Sequence, residues 1–248
     1  MSLELAALAW DANDPRRLAE FWAAALRWEV GEEHAGEVAL VPTDGTRFGV
    51  LFVPVGEPKA EVLNRVHLDL TTKSVEDQQQ SAEQFVALGG RHIDIGQSPD
   101  ESHIVMADPE GNELCLIEPW NSFLSTTGRF GSITSDGSPA TGRFWSAALD
   151  WPLVWDQDDE TAIRAPDGTG PMITWGGGEL RPKPAKNRQH LHLAPTGDSD
   201  QAAEVERLLA LGATRGGIGE GRADRVVLLD PDDNEFCVLR TRERRTAR

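Results

Sequence analysis

The sequence predicts an α+β protein made of two homologous domains in tandem, and three repeated blocks are the observations that predict it. Each half carries the same three blocks in the same order, at 21–28, 64–70 and 108–115 and again at 144–151, 187–193 and 230–237. The offset between copies is 123 residues for the first two blocks and 122 for the third. Matched blocks at a constant offset indicate a duplicated chain.

The duplication sets the expected domain boundaries within the 248 residues. We expect one domain at 1–119, a linker at 120–128, a second domain at 129–241 and a basic tail at 242–248. Each half is long enough to bury a core of its own. The two halves are therefore expected to superpose as equivalent eight-stranded domains.

The first module of each half reads as a strand, a helix and further strands. Leu5–Trp10 is a short apolar strand, after which Asp14 can cap a helix and Pro15 suits its first position. Apolar residues then follow at helical spacing, as expected of a helix lying on a sheet. Phe48–Val55 is rich in β-forming residues and closes the module.

The second module repeats this order. Arg65–Leu70 alternates as a half-buried strand does, and Ser74 is placed to cap a helix that stops at Gly89. His103–Met106 and Glu113–Ile117 then form a hairpin across a turn rich in Asp, Pro and Gly.

Composition excludes several classes of partner. The net charge of −17 argues against nucleic acid, because affinity for a phosphate backbone needs clustered Lys and Arg. No apolar run approaches the roughly 20 residues that span a bilayer, and no signal peptide is recognisable, so we expect a cytoplasmic protein with no membrane partner. Its two cysteines, Cys115 and Cys237, are expected to be reduced.

The repeated helix, the His-Leu-x-Leu strand and the Asp-Pro-x-x-Asn-Glu-x-Cys hairpin resemble the vicinal oxygen chelate superfamily. This group includes glyoxalase I, bleomycin-resistance proteins and extradiol dioxygenases. The resemblance covers nearly the whole chain twice, and it is nearest to glyoxalase-like proteins. It implies two tandem glyoxalase-like domains, each built of two βαβββ modules around a cleft. It also implies a monomer that resembles a fused dimer, or else a homodimer.

The same resemblance implies a deficit of metal ligands. Active members place one ligand on the first strand and one on the last strand of each module, typically His and Glu. His67 and His190 keep the first-strand ligand of the second modules, whereas Cys115 and Cys237 occupy the last-strand positions. The first modules offer no donor near Ala7. We therefore expect no metal site and no cofactor.

Strand alternation nevertheless brings polar residues to one wall of each cleft. The expected ligand-binding residues are His67, Asp69, Glu113 and Cys115, and in the second half His190, His192, Glu235 and Cys237.

Each type of residue on these walls has a structural alternative. His67 with Asp69 could act as a general base near pH 7, or it could be a histidine hydrogen-bonded for structure. Cys115 and Cys237 could hold zinc or copper with the histidines, or be small core residues.

The function expected from these residues is binding or sequestering of a small molecule, polar or cationic because the chain is acidic. The rival hypothesis is a metal-dependent lyase, isomerase or dioxygenase of the same superfamily. The sequence leaves open whether the protein is an enzyme.

Overall fold

The computed structural model describes residues 2–98, 100–177, 180, 183, 185–217 and 224–240, which form four βαβββ modules. The first is β1 (Leu3–Ala12), α1 (Pro15–Leu26), β2 (Glu29–His34), β3 (Glu37–Val41) and β4 (Gly49–Pro54). The second is β5 (Val66–Thr71), α2 (Val75–Ala87), β6 (Arg91–His92), β7 (Ile104–Ala107) and β8 (Glu113–Ile117). The third is β9 (Phe130–Asp136), α3 (Pro139–Leu149), β10 (Leu153–Gln157), β11 (Glu160–Ile163) and β12 (Met172–Gly176). The fourth is β13 (Gln189–Pro195), α4 (Gln201–Leu211), β14 (Thr214–Arg215), β15 (Arg225–Leu229) and β16 (Glu235–Leu239).

The local signals in the sequence act as predicted at the helix ends. Asp14 caps α1 by accepting a hydrogen bond from the backbone N–H of Arg17 at 3.1 Å, and Pro15 is the first helical residue. Ser74 caps α2 in the same way, accepting from the N–H of Asp77 at 3.1 Å. None of the described helices is long and apolar enough to cross a membrane. The predicted basic tail at 242–248 lies outside the described residues.

The modules form two eight-stranded sheets, which confirms the α+β fold class of paired βαβββ modules. Sheet A has the strand order β14-β15-β16-β13-β1-β4-β3-β2, and sheet B has the order β10-β11-β12-β9-β5-β8-β7-β6. In each sheet the two modules join through their first strands, which pair antiparallel as β1 with β13 and β5 with β9.

Each sheet combines one module from each half of the chain, which differs from the expectation that each half forms its own eight-stranded domain. Sheet A unites the first and fourth modules, whereas sheet B unites the second and third. The lengths of the connecting segments do not predict this arrangement. Residues 55–65 join β4 to β5 across the two sheets, and residues 118–129 join β8 to β9 within sheet B. Because these segments have nearly equal lengths, loop closure favours neither pairing.

Contacts of the helices hold the two modules of each half together. Phe21 of α1 lies against Phe85 of α2 with ring centroids 5.3 Å apart, although the two helices follow strands of different sheets. The indole N–H of Trp22 donates to the Asp108 carboxylate at 3.0 Å, in the turn between β7 and β8. The second half repeats this contact between Trp145 and Asp230 at 3.1 Å. One apolar core therefore runs between the two sheets.

Candidate functional site

The face of each sheet turned away from the helices, here called the cleft face, carries the predicted site residues. On β5, Leu68 and Leu70 enter the core, so His67 and Asp69 point to the cleft face of sheet B. Cys115 on β8 lies beside Asp69 in the strand register. One ligand atom from each of these three side chains lies within 4.8 Å of the others. The predicted facing of this strand is therefore confirmed.

Hydroxyl groups from the third module complete this cluster. Asp69 Oδ2 accepts hydrogen bonds from Ser132 at 2.8 Å and from Thr134 at 2.6 Å. Thr174 on β12 in turn donates to the Thr134 hydroxyl at 3.1 Å. The sequence did not indicate these residues as part of the site, because their role depends on the pairing of β9 with β5. The alternation of Ser132 and Thr134 around Ile133 was the available signal.

The charges of the sheet B cluster are coupled. Burial alone would lower the pKa of His67, but the Asp69 carboxylate, 3.3 Å from His67 Nε2, and the Cys115 thiol together outweigh burial and raise that pKa well above its ordinary value. Burial would raise the pKa of Asp69, but His67 and the two hydroxyl donors lower it. Burial raises the pKa of the Cys115 thiol. The raised pKa favours a protonated imidazole paired with Asp69, which makes His67 better suited to donate a proton than to accept one.

The predicted glutamates lie outside the three-residue clusters. Glu113 forms an ion pair with Lys59 at 3.0 Å and accepts from the backbone N–H of Asn64 at 3.1 Å. Glu235 is held in the same way by Lys183 at 2.7 Å. Because each carboxylate is neutralised by a lysine, neither contributes a free charge to its cleft.

Sheet A carries the duplicate cluster in different surroundings. His190, His192 and Cys237 each place a ligand atom within 4.8 Å of the others. Across the sheet, His192 is paired with Ala7 and His190 with Ala9. In sheet B, Ser132 pairs with Asp69 and Thr134 with His67, so hydroxyl residues of sheet B are replaced by alanines in sheet A. The cluster of sheet A therefore lacks the hydroxyl donors that hold Asp69 in sheet B.

A cavity of about 250 Å³ lies on this cleft face of sheet A. Its walls come from β1, β3 and β4, and His192 and Arg225 line it from the fourth module. Small residues at its floor, Ala7 and Gly49, leave the space open. The corresponding face of sheet B is packed instead, since Leu124 from the predicted linker joins an apolar cluster there.

The electrostatic environment in sheet A is positive. Burial lowers the pKa of His190 well below its ordinary value, and the nearby His192, Lys186 and Arg225 lower it further. His190 is therefore neutral at pH 7, and its Nδ1 is buried without a hydrogen-bond partner among the described residues. Arg225 was not selected from the sequence, although it stands where the repeat has His103, 122 positions earlier.

The four-ligand metal site implied by the superfamily does not fit either sheet. In sheet A, Ala9 and Leu51 stand at the remaining first-strand and last-strand positions and offer no donor atom. In sheet B, the hydroxyl of Thr134 is already directed at Asp69. Three donors remain in each cluster. Those of sheet A lie near Arg225, whose positive charge opposes a divalent cation, whereas the nearby Lys186 is paired with Asp11 at 3.1 Å.

Comparison with known proteins gives two findings. The family described as glyoxalase-like domain matches residues 7–117 and again 132–239. Glyoxalase I from Zea mays resembles the chain with a TM-score of 0.64 and 12% identity, over 96% of this chain and 92% of that one. A provisionally assigned dioxygenase from Bacillus subtilis resembles it with a TM-score of 0.63 and 13% identity, over 96% and 85%. At these identities the likeness concerns the fold alone. The search of curated proteins finds no match.

Proposed function

The chain belongs to the glyoxalase-like domain family of the vicinal oxygen chelate superfamily, and on that premise we propose that it binds a small organic molecule on the cleft face of sheet A. The observation that carries the proposal is the cavity of about 250 Å³ between β1, β3, β4 and the fourth module. Binding sites for small molecules are mostly apolar hollows with a few converging polar groups. Here Ala7, Ala39 and Leu51 supply apolar wall, and His192 and Arg225 supply the polar groups.

Binding or sequestering agrees better with these residues than metal-assisted catalysis does. A metal in this superfamily chelates neighbouring oxygens of the substrate, and its electrostatic contribution amounts to several kcal/mol. Because Ala9 and Leu51 offer no donor atom, sheet A lacks the four-ligand centre implied by the superfamily. The polar groups at the cavity include the imidazole of His192 and the guanidinium of Arg225, which can bind and orient a ligand.

Filling the cavity tests the proposal. Ala7→Leu adds three carbon atoms at the cavity floor, where Ala7 points away from the core that holds Leu8. A panel of small organic acids, amines and neutral aromatics is screened by thermal shift against the wild type. A ligand at about 100 times its Kd stabilises by roughly 2.7 kcal/mol, which raises Tm by about 5 °C or more for a chain of this size. We expect Ala7→Leu to remove the shift produced by the hits.

The matched control is Ala87→Leu, the same substitution at an exposed position of α2. This variant should respond to the hits as the wild type does. The proposal is wrong when no compound of the panel stabilises the protein, or when Ala7→Leu keeps the full shift.

The cluster in sheet B favours one second candidate, a metal-dependent enzyme. His67, Asp69 and Cys115 place three ligand atoms within 4.8 Å, and a catalytic zinc site has three protein ligands and one open position. The hydroxyls that bond Asp69 resemble the outer partners that orient metal ligands. Stoichiometric zinc in protein purified without added metal, lost on Cys115→Ser, would support this candidate. Metal-free protein would contradict it.

A further inference from the structure

Arg225 is a buried cation whose hydrogen-bonding capacity is incompletely used. Its side chain is 4% exposed and lines the cavity of sheet A. One terminal nitrogen lies 3.5 Å from His192 Nε2, and the other lies 3.5 Å from the Asp224 carboxylate. The Nε atom is buried and has no hydrogen-bond partner in the part of the chain that the structure describes. A guanidinium has five N–H donors, and burying them without acceptors costs free energy.

The surroundings of Arg225 offer little compensation for its charge. Asp224 is 44% exposed, and its contact with Arg225 at 3.5 Å is at the limit of a hydrogen bond. Among the described residues that line the cavity there is no Asp or Glu. The other lining cation, Arg47, is 72% exposed and forms an ion pair with Asp167. Arg225 is thus the one lining cation that is buried and poorly paired in the described cavity wall.

We infer that the ligand of this cavity carries a carboxylate, which the guanidinium of Arg225 binds. The inference rests on the proposed function, because it names the chemical class of the molecule bound there. A carboxylate matches the fork of the guanidinium and accepts two parallel hydrogen bonds. The apolar wall opposite, with Ala7, Ala39 and Leu51, fits an apolar body attached to that group.

Comparison of the two sheets shows that this charge is particular to sheet A. Position 69 holds an aspartate in sheet B, whereas the matching position 192 holds a histidine. Position 103 holds a histidine that faces Glu101 at 3.5 Å, whereas the matching position 225 holds the arginine. Since the copies share their fold, the exchange of an acidic cluster for a basic one changes the charge that each cleft accepts. The expectation of a cationic ligand, which came from the net charge of the chain, therefore does not extend to sheet A.

A single buried cation also limits the charge of the ligand. Arg225 is the buried guanidinium of the described cavity wall, whereas the guanidinium of Arg47 is largely exposed and paired with Asp167. One positive charge balances a carboxylate but leaves a doubly charged phosphate uncompensated in a poorly hydrated site.

Three ring compounds that differ in charge test the inference by calorimetric titration at pH 7. Benzoate is the anionic probe, benzyl alcohol the neutral one and benzylamine the cationic one, with inorganic phosphate as a further arm. We expect benzoate to bind at least about ten-fold more tightly than benzyl alcohol, as a charge-assisted hydrogen bond provides. Benzylamine and phosphate should bind more weakly than benzoate.

Two variants assign the preference to Arg225. Arg225→Met should weaken benzoate binding about ten-fold or more and leave benzyl alcohol binding unchanged. Arg143→Met is the matched control, because Arg143 is 57% exposed and pairs with Asp156 outside the cavity wall. Arg225→Lys keeps the positive charge but loses the two parallel N–H donors of the guanidinium. We expect it to bind benzoate with intermediate affinity, and this result would support the inference even when Arg225→Met does not fold.

The outcomes separate this inference from the proposed function. Equal binding of the three ring compounds, with Ala7→Leu abolishing all of it, would overturn the carboxylate but keep the cavity as a binding site. Unchanged benzoate affinity in the Arg225 variants would also overturn the carboxylate and keep the binding site. Tighter binding of phosphate than of benzoate would have the same consequence. Absence of binding by every probe would contradict both proposals.

Discussion

At the residue scale, Asp69 determines the charge state of His67, although the two side chains are buried together. Burial opposes the positive charge of an imidazole, and a carboxylate at 3.3 Å favours it. The carboxylate and the Cys115 thiol together exceed the effect of burial here. In sheet A the same strand position holds His192 in place of an acid, and the pKa of the neighbouring His190 moves in the opposite direction. The exchange of Asp69 for His192 is thus one of the differences that separate the chemistry of the two duplicated clusters.

Asp69→Asn should reverse the pKa shift of His67. Without the carboxylate, burial remains as the largest effect, so the pKa of His67 should move from above its ordinary value of 6.5 to below it. An NMR titration of the histidine ring protons from pH 5 to pH 9 measures this change, with His190 as an internal control that stays neutral over most of that range. A His67 pKa that remains high in Asp69→Asn would contradict the assignment of the shift to this ion pair.

At the scale of elements, the repeated tryptophan of the helix and the repeated aspartate of the hairpin turn hold each half together. Asp108 accepts the Trp22 indole N–H and also the backbone N–H groups of Glu110 and Asn112, so its carboxylate organises the turn. Burial raises the pKa of Asp108 to about 6 despite these donors. Because α1 follows a strand of sheet A and Asp108 follows a strand of sheet B, this hydrogen bond joins the two sheets.

Trp22→Phe should therefore destabilise the whole chain. The substitution removes a donor from a buried carboxylate and leaves a small cavity, which together should cost about 2–4 kcal/mol. Urea unfolding followed by circular dichroism measures the change. Trp120→Phe is the matched control, since Trp120 is 63% exposed, and it should stay within about 0.5 kcal/mol of the wild type. A Trp22→Phe variant as stable as this control would show that the contact is dispensable.

At the scale of the whole molecule, the unit of sequence repetition and the unit of sheet formation differ. Within each half of the chain, contacts of the helices join the two modules. Each sheet instead joins modules of opposite halves, because β1 pairs with β13 and β5 pairs with β9. An isolated half would expose β1 and β5 as unpaired strand edges. Since β13 is the repeat of β5, a second copy of the same half offers the missing strand.

Residues 1–119 expressed alone should accordingly form a two-fold dimer, in which β1 of each copy pairs with β5 of the other. Size-exclusion chromatography with light scattering measures the mass of this fragment. The full chain measured in parallel serves as the reference for the compact fold. A folded, monomeric fragment would contradict the strand exchange and favour halves that are independent domains.

The sequence by itself determined the four modules, the helix caps and the facing of the strands, because these depend on local periodicity and on single residues such as Asp14 and Ser74. It also placed His67, Asp69 and Cys115 on one face. Tertiary structure alone decided which modules share a sheet, since the connections at 55–65 and 118–129 are nearly equal in length and do not favour either pairing. That pairing sets Ala7 opposite His192 and brings Arg225 to the wall of an apolar cavity, and no local pattern encodes a contact between residues so distant in the chain.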